Sequence, residues 1–207
     1  MKKVLSILLC AVLCLSFTAC KSVKKQNEEA KSALMSVWNK ESSFSIKNSY
    51  TEKTTEESFE KYRFPTVSSA YNAFVPWGYL FTDFDGDGIE EMLVVSAELK
   101  FFIILRYDAE AVRGYMLDRI NLQSVKTDGT FSFGPFAGQD YDYKTVCRVS
   151  FEGDGYKLSY LALINDAKGE YLLNDKSAKK KEIEKYISEW DKNTTKVEWF
   201  FNKVEME

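Results

Sequence analysis

Apolar residues recur at helical spacing from Glu28 to Lys40, where Ala30, Leu34, Val37 and Trp38 predict a first helix. Ser, Thr and Lys dominate from Glu41 to Thr55, which reads as irregular apart from one short strand at Phe44 to Ile46. A second helix is expected over Thr55 to Tyr62, stopped by Pro65, and a further helical turn over Ser68 to Phe74. After Pro76 the pattern changes to strands. Trp77 to Phe84 and Ile89 to Val95 are apolar and separated by Asp85-Gly86-Asp87-Gly88, and Lys100 to Tyr107 fits a central strand. Val112 to Val125 reads as one less regular extended stretch. Asp128-Gly129 predicts a hairpin before Thr130 to Phe133, and Gly153-Asp154-Gly155 predicts another between Lys144 to Phe151 and Tyr156 to Ile164. Thr145, Cys147, Val149 and Phe151 fall on one face of the first of those strands.

The chain then returns to helix. Ser177 is the expected N-cap, and Ile183, Tyr186, Ile187 and Trp190 follow at i, i+3, i+4 and i+7. Val197 to Phe201 predicts an edge strand. The fold class is therefore α+β: an antiparallel meander, with the acidic turn as one of its hairpins, packed by an N-terminal and a C-terminal helix as a single domain over residues 28–207.

The start of the chain follows another logic. Lys2 and Lys3 precede an apolar run from Val4 to Leu15, the layout of a secretory signal, and about a dozen residues are too few to span a bilayer comfortably. The run ends in Phe17-Thr18-Ala19-Cys20, which looks like the site where bacterial lipoproteins are cut before a cysteine that carries acyl (palmitate-type) chains. This reading makes 1–19 the signal peptide, Cys20 the lipid attachment and 20–27 a polar tether to the membrane. An ordinary signal peptide with an incidental cysteine is the other reading.

Composition sharpens this. Removing residues 1–19 leaves 188 of 207 residues and takes away two lysines and no acid, so 26 basic residues face 31 acidic ones, a net of −5. No basic surplus points to nucleic acid. The chain has no histidine, which excludes Ser-His-Asp and Cys-His catalysis and His-ligated zinc. No nucleophile elbow, HExxH, P-loop or Gly-rich dinucleotide turn is present. Cys147 is the one cysteine outside the signal and lipid positions and reads as a buried structural thiol. The 31 aromatics suit the core of a sheet packed by helices; an aromatic platform for sugar rings is the alternative.

Charge is also unevenly placed. Between Arg63 and Lys100 there is no Lys or Arg, while Asp83, Asp85, Asp87, Glu90, Glu91 and Glu98 give a local charge of −6. Carboxylates this close resist ionisation unless a cation joins them. Asp83, Asp85 and Asp87 match positions 1, 3 and 5 of a calcium loop, Gly88 position 6, Ile89 position 7 through its carbonyl, and Glu91 position 9. Position 12, normally a bidentate Glu, is Val94, and the flanks read as strands. The loop is thus closer to the strand-flanked form of integrin-type propeller repeats than to an EF-hand. The missing ligand implies a dissociation constant of roughly 10⁻⁴ to 10⁻³ M. A solvated Asp-Gly turn and a catalytic carboxylate pair are the alternatives.

The line from Tyr79 to Val94, with Asp83-Phe84-Asp85-Gly86-Asp87-Gly88 at its centre, resembles one found in a family of bacterial lipoproteins of anaerobes that has no assigned activity. Lys126 to Phe131, Arg148 to Phe151 and the stretch from Tyr171 to Phe200 are also similar. The resemblance implies an exported, lipid-anchored protein of the cell membrane or outer membrane with a calcium loop. Three functions follow as expectations. The first is a calcium-stabilised binding module for an envelope protein or glycan, with Phe136, Tyr141 and Tyr143 in the Gly134 to Tyr143 loop as the contact residues. The second is an envelope or glycan hydrolase using Asp/Glu carboxylates. The third is a structural lipoprotein or inhibitor.

Overall fold

Apolar side chains fill consecutive positions from Met92 to Val95 and from Phe102 to Leu105, so a strand built from either run has no wet face and must be covered on both sides. The computed structural model, which describes residues 23–47, 53–64, 72–96, 101–108, 110–117, 121–134 and 143–201, shows how this is done. A seven-stranded sheet runs in the order β15 (Phe200–Phe201), β5 (Pro76–Thr82), β6 (Glu91–Ser96), β7 (Phe102–Asp108), β8 (Ala111–Leu117), β1 (Phe44–Lys47), β2 (Thr54–Glu57). A six-stranded sheet runs β14 (Lys176–Ser177), β13 (Glu170–Leu173), β12 (Gly155–Asn165), β11 (Tyr143–Glu152), β10 (Phe131–Gly134), β9 (Asn121–Val125). A two-stranded ribbon joins β3 (Arg63–Phe64) to β4 (Asn72–Ala73). Pairing is antiparallel except between β1 and β8.

The sheets pack face to face. Leu93, Val95, Phe102 and Ile104 meet Phe131, Phe133, Cys147 and Val149 in the core between them. The alternate residues Met92, Val94, Ile103 and Leu105 face the other way, where Leu34 and Val37 of helix α1 (residues 23–38) cover them. On the far side of the second sheet, Val146, Ala162 and Ile164 pack against Ile183 and Trp190 of helix α2 (Lys180–Asn193). The result is four layers: helix, sheet, sheet, helix. Each fully buried aliphatic or aromatic side chain contributes about 1.5–3 kcal/mol, so β6 and β7, buried on both faces, form the strongest part of the core.

A one-residue slip in β12 allows one strand to serve two cores. Cys147 pairs with Tyr160 and Val146 with Ala162, leaving Leu161 extra. Tyr160 therefore faces the space between the sheets, whereas Ala162 and Ile164 face α2. Bulges re-aim side chains in this way.

The α+β class, the antiparallel β-rich character and the two helices agree with the sequence reading. Several local expectations change. The aromatic core is shared between two sheets, not one. The stretch Val112 to Val125 divides into β8 and β9, which lie in different sheets. Thr55 to Tyr62 is not helical: β2 occupies Thr54–Glu57 and a turn follows. β-branched Thr54 and Thr55 pair against the edge of β1 that faces away from β8, which a helix there would leave unpaired. Ser177 belongs to β14 opposite Leu172, so the helix cap moves to Lys179, whose N–H donates to Glu182 Oε2 at 3.2 Å. Helix α1 is already formed at residue 23, the first described, so residues 23–27 of the expected tether are helical. Cys20, the signal segment and residues 68–71 of the expected helical turn lie outside the described residues; Asn72 and Ala73, also expected in that turn, form β4.

Candidate metal centre

The acidic loop leaves β5 at Thr82 and returns as β6 at Glu91, and those two residues pair. Its shape comes from its own carboxylates. Asp83 Oδ1 accepts the N–H groups of Gly86 at 2.7 Å and Asp87 at 3.2 Å, and Oδ2 accepts that of Gly88 at 2.9 Å. Asp85 Oδ1 accepts from Asp87 N–H at 3.2 Å, and Asp87 Oδ1 from Ile89 N–H at 2.7 Å. Aspartates at alternate positions thus fold the backbone back on itself. Gly88 takes φ +90, as the sharp turn at that position requires.

Glu91 is the unusual member. Its side chain is 1 % exposed, Oε2 accepts the Phe84 N–H at 2.8 Å, and buried Oε1 accepts no hydrogen bond. Burial, with Asp85 and Asp87 nearby, pushes its carboxyl up to about 8, although the Phe84 N–H and Arg106 work against the rise. Burial also raises Asp85 despite the opposing Arg106. One oxygen each from Asp83, Asp85 and Glu91 lies within 4.8 Å of the others. Two ligands on opposite sides of a calcium ion stand at most about 4.6–5.2 Å apart, given Ca–O distances of about 2.3–2.6 Å. The three carboxylates fit around a single metal ion.

Asp87 does not join them. Its Oδ2 accepts from Arg106 Nη2 at 2.8 Å. The same nitrogen lies 3.2 Å from Asp85 Oδ2, and Arg106 Nε lies 3.5 Å from Glu91 Oε1. Burial disfavours the charge on Arg106, but the acids, Asp85 foremost, hold it charged and raise its pKa overall. Its guanidinium also lies 5.1 Å from the centre of the Phe151 ring. Sequence reading missed this cation because it lies beyond the stretch free of Lys and Arg. The available signal was strand register: Met92 pairs with Leu105, which sets Arg106 opposite Glu91.

Two further elements hold the loop. Along α1, Val23 lies against Gly88, Asn27 Oδ1 accepts the Glu90 N–H at 2.9 Å, and Lys31 pairs with Glu90. These positions, four residues apart, form one stripe of the helix. From the second sheet, the Lys126 carbonyl accepts Thr82 Oγ1–H at 3.2 Å, and Gly129 abuts the Asp83 backbone. Lys126 is itself fully buried; its Nζ donates to Asp191 Oδ1 at 2.9 Å and to the carbonyls of Asp191 and Thr194 at 3.3 Å, and lies 4.6 Å from the centre of the Trp190 ring.

Of the three expected contact residues only Tyr143 is described, since Phe136 and Tyr141 lie outside the described residues. Tyr143 is half-buried, packs on Phe133 at 5.9 Å and is hydrogen-bonded to Tyr160; burial raises its pKa. It also lines an open groove of about 660 Å³ between the second sheet and α2. The two carboxylates lining that groove, Glu184 and Asp191, stand two turns apart on the same helix, so they do not face each other across it. Cys147 is buried, as expected, and burial pushes its thiol up to about 12. Among the described residues no helix is long and apolar enough to cross a membrane. No protein-family model matches the chain, and no match was found among curated proteins or solved structures.

Proposed function

We propose that the chain is an exported, lipid-anchored cell-envelope protein whose acidic loop binds calcium and stiffens a binding module. The observation that carries the reading is Glu91: a fully buried carboxyl group whose Oε1 has no hydrogen bond and only a 3.5 Å ion-pair contact to Arg106, clustered with the carboxyl groups of Asp83 and Asp85. Leaving such a group unsatisfied costs about 1–3 kcal/mol or more, and a hard cation removes that cost. Calcium suits the site because all the available donors are oxygens and the loop tolerates irregular geometry. Asp87 and the Ile89 carbonyl complete the shell in this proposal, with Asp87 released from Arg106. Cys20 carries the lipid, and the family resemblance of the Tyr79 to Val94 line supports the envelope address.

At a dissociation constant of about 10⁻⁴ to 10⁻³ M, 5 mM calcium stabilises the fold by about 1–2 kcal/mol. For a chain of this size that is a melting shift of roughly 2–8 °C. The test compares melting in EDTA and in 5 mM calcium for the wild type and for Glu91→Gln. A rise in the wild type that Glu91→Gln abolishes supports the reading; identical wild-type curves overturn it.

A second reading rests on Arg106. Its contacts of 2.8–3.5 Å to Asp85, Asp87 and Glu91 form a salt-bridge network that offsets part of the loop's charge without a metal. Insensitivity to calcium together with strong destabilisation by Arg106→Gln would favour it.

A further inference from the structure

The face of the second sheet that α2 covers changes character toward β9, its last strand. Under the helix, Val146, Ala162 and Ile164 pack against Ile183 and Trp190. Further out the same face is polar. Phe131 pairs with Cys147 and points between the sheets, so its neighbour Ser132 faces α2, and Ser124, paired with Ser132, faces the same way. Ser124, Ser132 and Gln123 line the floor of the groove of about 660 Å³, and Ile187, Ser188 and Trp190 of α2 line its wall.

Three features mark this groove as a site. First, its floor holds an unsatisfied group: Ser124 Oγ is buried and has no hydrogen-bond partner. Buried hydroxyls are normally satisfied, and an exception calls for an explanation. Second, the strand is bulged there. Ser124 pairs with Ser132 and Leu122 with Phe133, which leaves Gln123 extra. Gln123 is exposed, and its amide lies over Gly134, where any side chain would collide with it. Bulges re-aim side chains and are over-represented next to active sites. Third, the charges are separated. Lys144, Glu184, Asp191 and Lys196 line the groove. Asp191 is taken by the buried Lys126 at 2.9 Å, and Lys144 helps to hold Asp166, outside the groove, below the usual carboxylate range. The charges left to the groove are those of Glu184 and Lys196, both on exposed residues. Lys196 acts on Asp191, which stands two helical turns, about 10.5 Å, from Glu184. The groove therefore has a negative end and a positive end.

We infer that this groove binds a short extended peptide with free ends, its ammonium at Glu184 and its carboxylate at Lys196. Three residues of extended chain span about 10 Å, at roughly 3.3 Å per residue, which matches the separation of the two charges. The small side chains of Ser124 and Ser132 and the bare Gly134 let a peptide backbone reach the sheet once the Gln123 amide swings off Gly134. The two hydroxyls and the amide both donate and accept, as the N–H and C=O groups of a peptide require. The volume falls among those of small-ligand sites, about 300–1,000 Å³. A neutral sugar would leave both end charges unmatched. The inference rests on the binding-module reading, whose ligand class it names, and does not require the cation.

The test is an NMR titration of the detergent-solubilised full chain with tri-alanine, N-acetyl-tri-alanine and tri-alanine amide, run in EDTA and again in calcium. The readout is the backbone amide resonances of Ser124 and Ser188, with the indole of Trp38, in the core under α1, as the reference. Tri-alanine is expected to shift both amides saturably at millimolar concentration in both buffers and to leave Trp38 unmoved. Each blocked peptide is expected to bind about threefold or more weakly, the scale of one exposed charge pair. Glu184→Gln is expected to remove the penalty of acetylation, and Lys196→Met that of amidation, with melting temperatures unchanged because both residues are exposed. Silence with tri-alanine overturns the inference, as do equal affinities for the three peptides or penalties that persist in the two variants. Shifts with N-acetylglucosamine but with no peptide also overturn it and assign the groove to a sugar. Peptide binding in a protein whose melting ignores calcium would sink the calcium reading alone, and calcium-dependent melting without peptide binding would sink this inference alone.

Discussion

Gly129→Ala tests how the second sheet supports the acidic loop. Gly129 takes φ +77, and a Cβ added there would overlap the carbonyl oxygen of Asp83, 2.9 Å from its carbonyl carbon and 3.0 Å from Phe84 Cα. Two costs add. Left-handed backbone costs an L-residue roughly 1–2 kcal/mol, and forcing one carbon into packed structure costs about 1–3 kcal/mol. The expected loss is therefore about 2–5 kcal/mol. Gly153 is an internal control: it takes φ +58, and nothing lies within 4 Å of its added Cβ, so Gly153→Ala carries only the first cost. Urea denaturation of both variants beside the wild type measures the difference. Asp83 is the first proposed ligand, so Gly129→Ala is also expected to blunt the calcium-induced rise in melting temperature, and Gly153→Ala to leave it intact. Equal losses in the two variants would refute the claimed contact between hairpin and loop.

Other outcomes follow from the same geometry. Arg106→Gln removes a guanidinium that competes for the carboxylates, so it is expected to lower stability in EDTA yet tighten calcium by about tenfold in calorimetry; weaker binding would show that Arg106 supports the site. Asp191→Asn, which leaves the buried Lys126 without its anion, is expected to lower the melting temperature more than Lys126→Met, which leaves only a half-exposed carboxylate. The Lys126 hydrogen bond holds Asp191 below the usual carboxylate range, so its stabilisation is full above the unfolded value of about 3.9 and lost as pH falls through the depressed folded value. The gap between wild type and Asp191→Asn is accordingly expected to close in acid, and a constant gap would contradict this. The Cys147 thiol is expected to resist iodoacetamide at pH 8 in the folded protein and to react in urea, as mass spectrometry would show. Cys20→Ser is expected to abolish incorporation of labelled palmitate in a bacterial host.

What the sequence revealed and what it hid have physical causes. β6 and β7 were legible because residues buried on both faces leave an unbroken apolar run, and α2 because a helix covering a sheet needs only one stripe. The division between β8 and β9 was hidden because both strands present apolar residues to the same inter-sheet core, so hydropathy does not change where the chain moves between sheets. The expected helix over Thr55 to Tyr62 is replaced by a strand and a turn, and Phe59 and Tyr62 reach the core through that turn. Asp83, Asp85 and Glu91 were found because their spacing is local. Arg106 was not found, since it acts through strand register and leaves no local pattern.

The start of α1 gives the molecule a direction. Val23 rests against Gly88, and three residues of chain reach at most about 11 Å, so in the proposed anchored form Cys20 would lie within that distance of Val23. Phe201 pairs with Gly78, four residues up β5 from the Thr82 end, and Val95 lies four residues along β6 from Glu91. At about 3.3 Å per residue the Phe201–Gly78 pair and Val95 sit roughly 13 Å or more from the acidic turn along the strands. An anchored molecule would stand with its carboxylates toward the lipid and the exposed Phe200 and Phe201 away from it, one end facing the bilayer and the other facing what passes by.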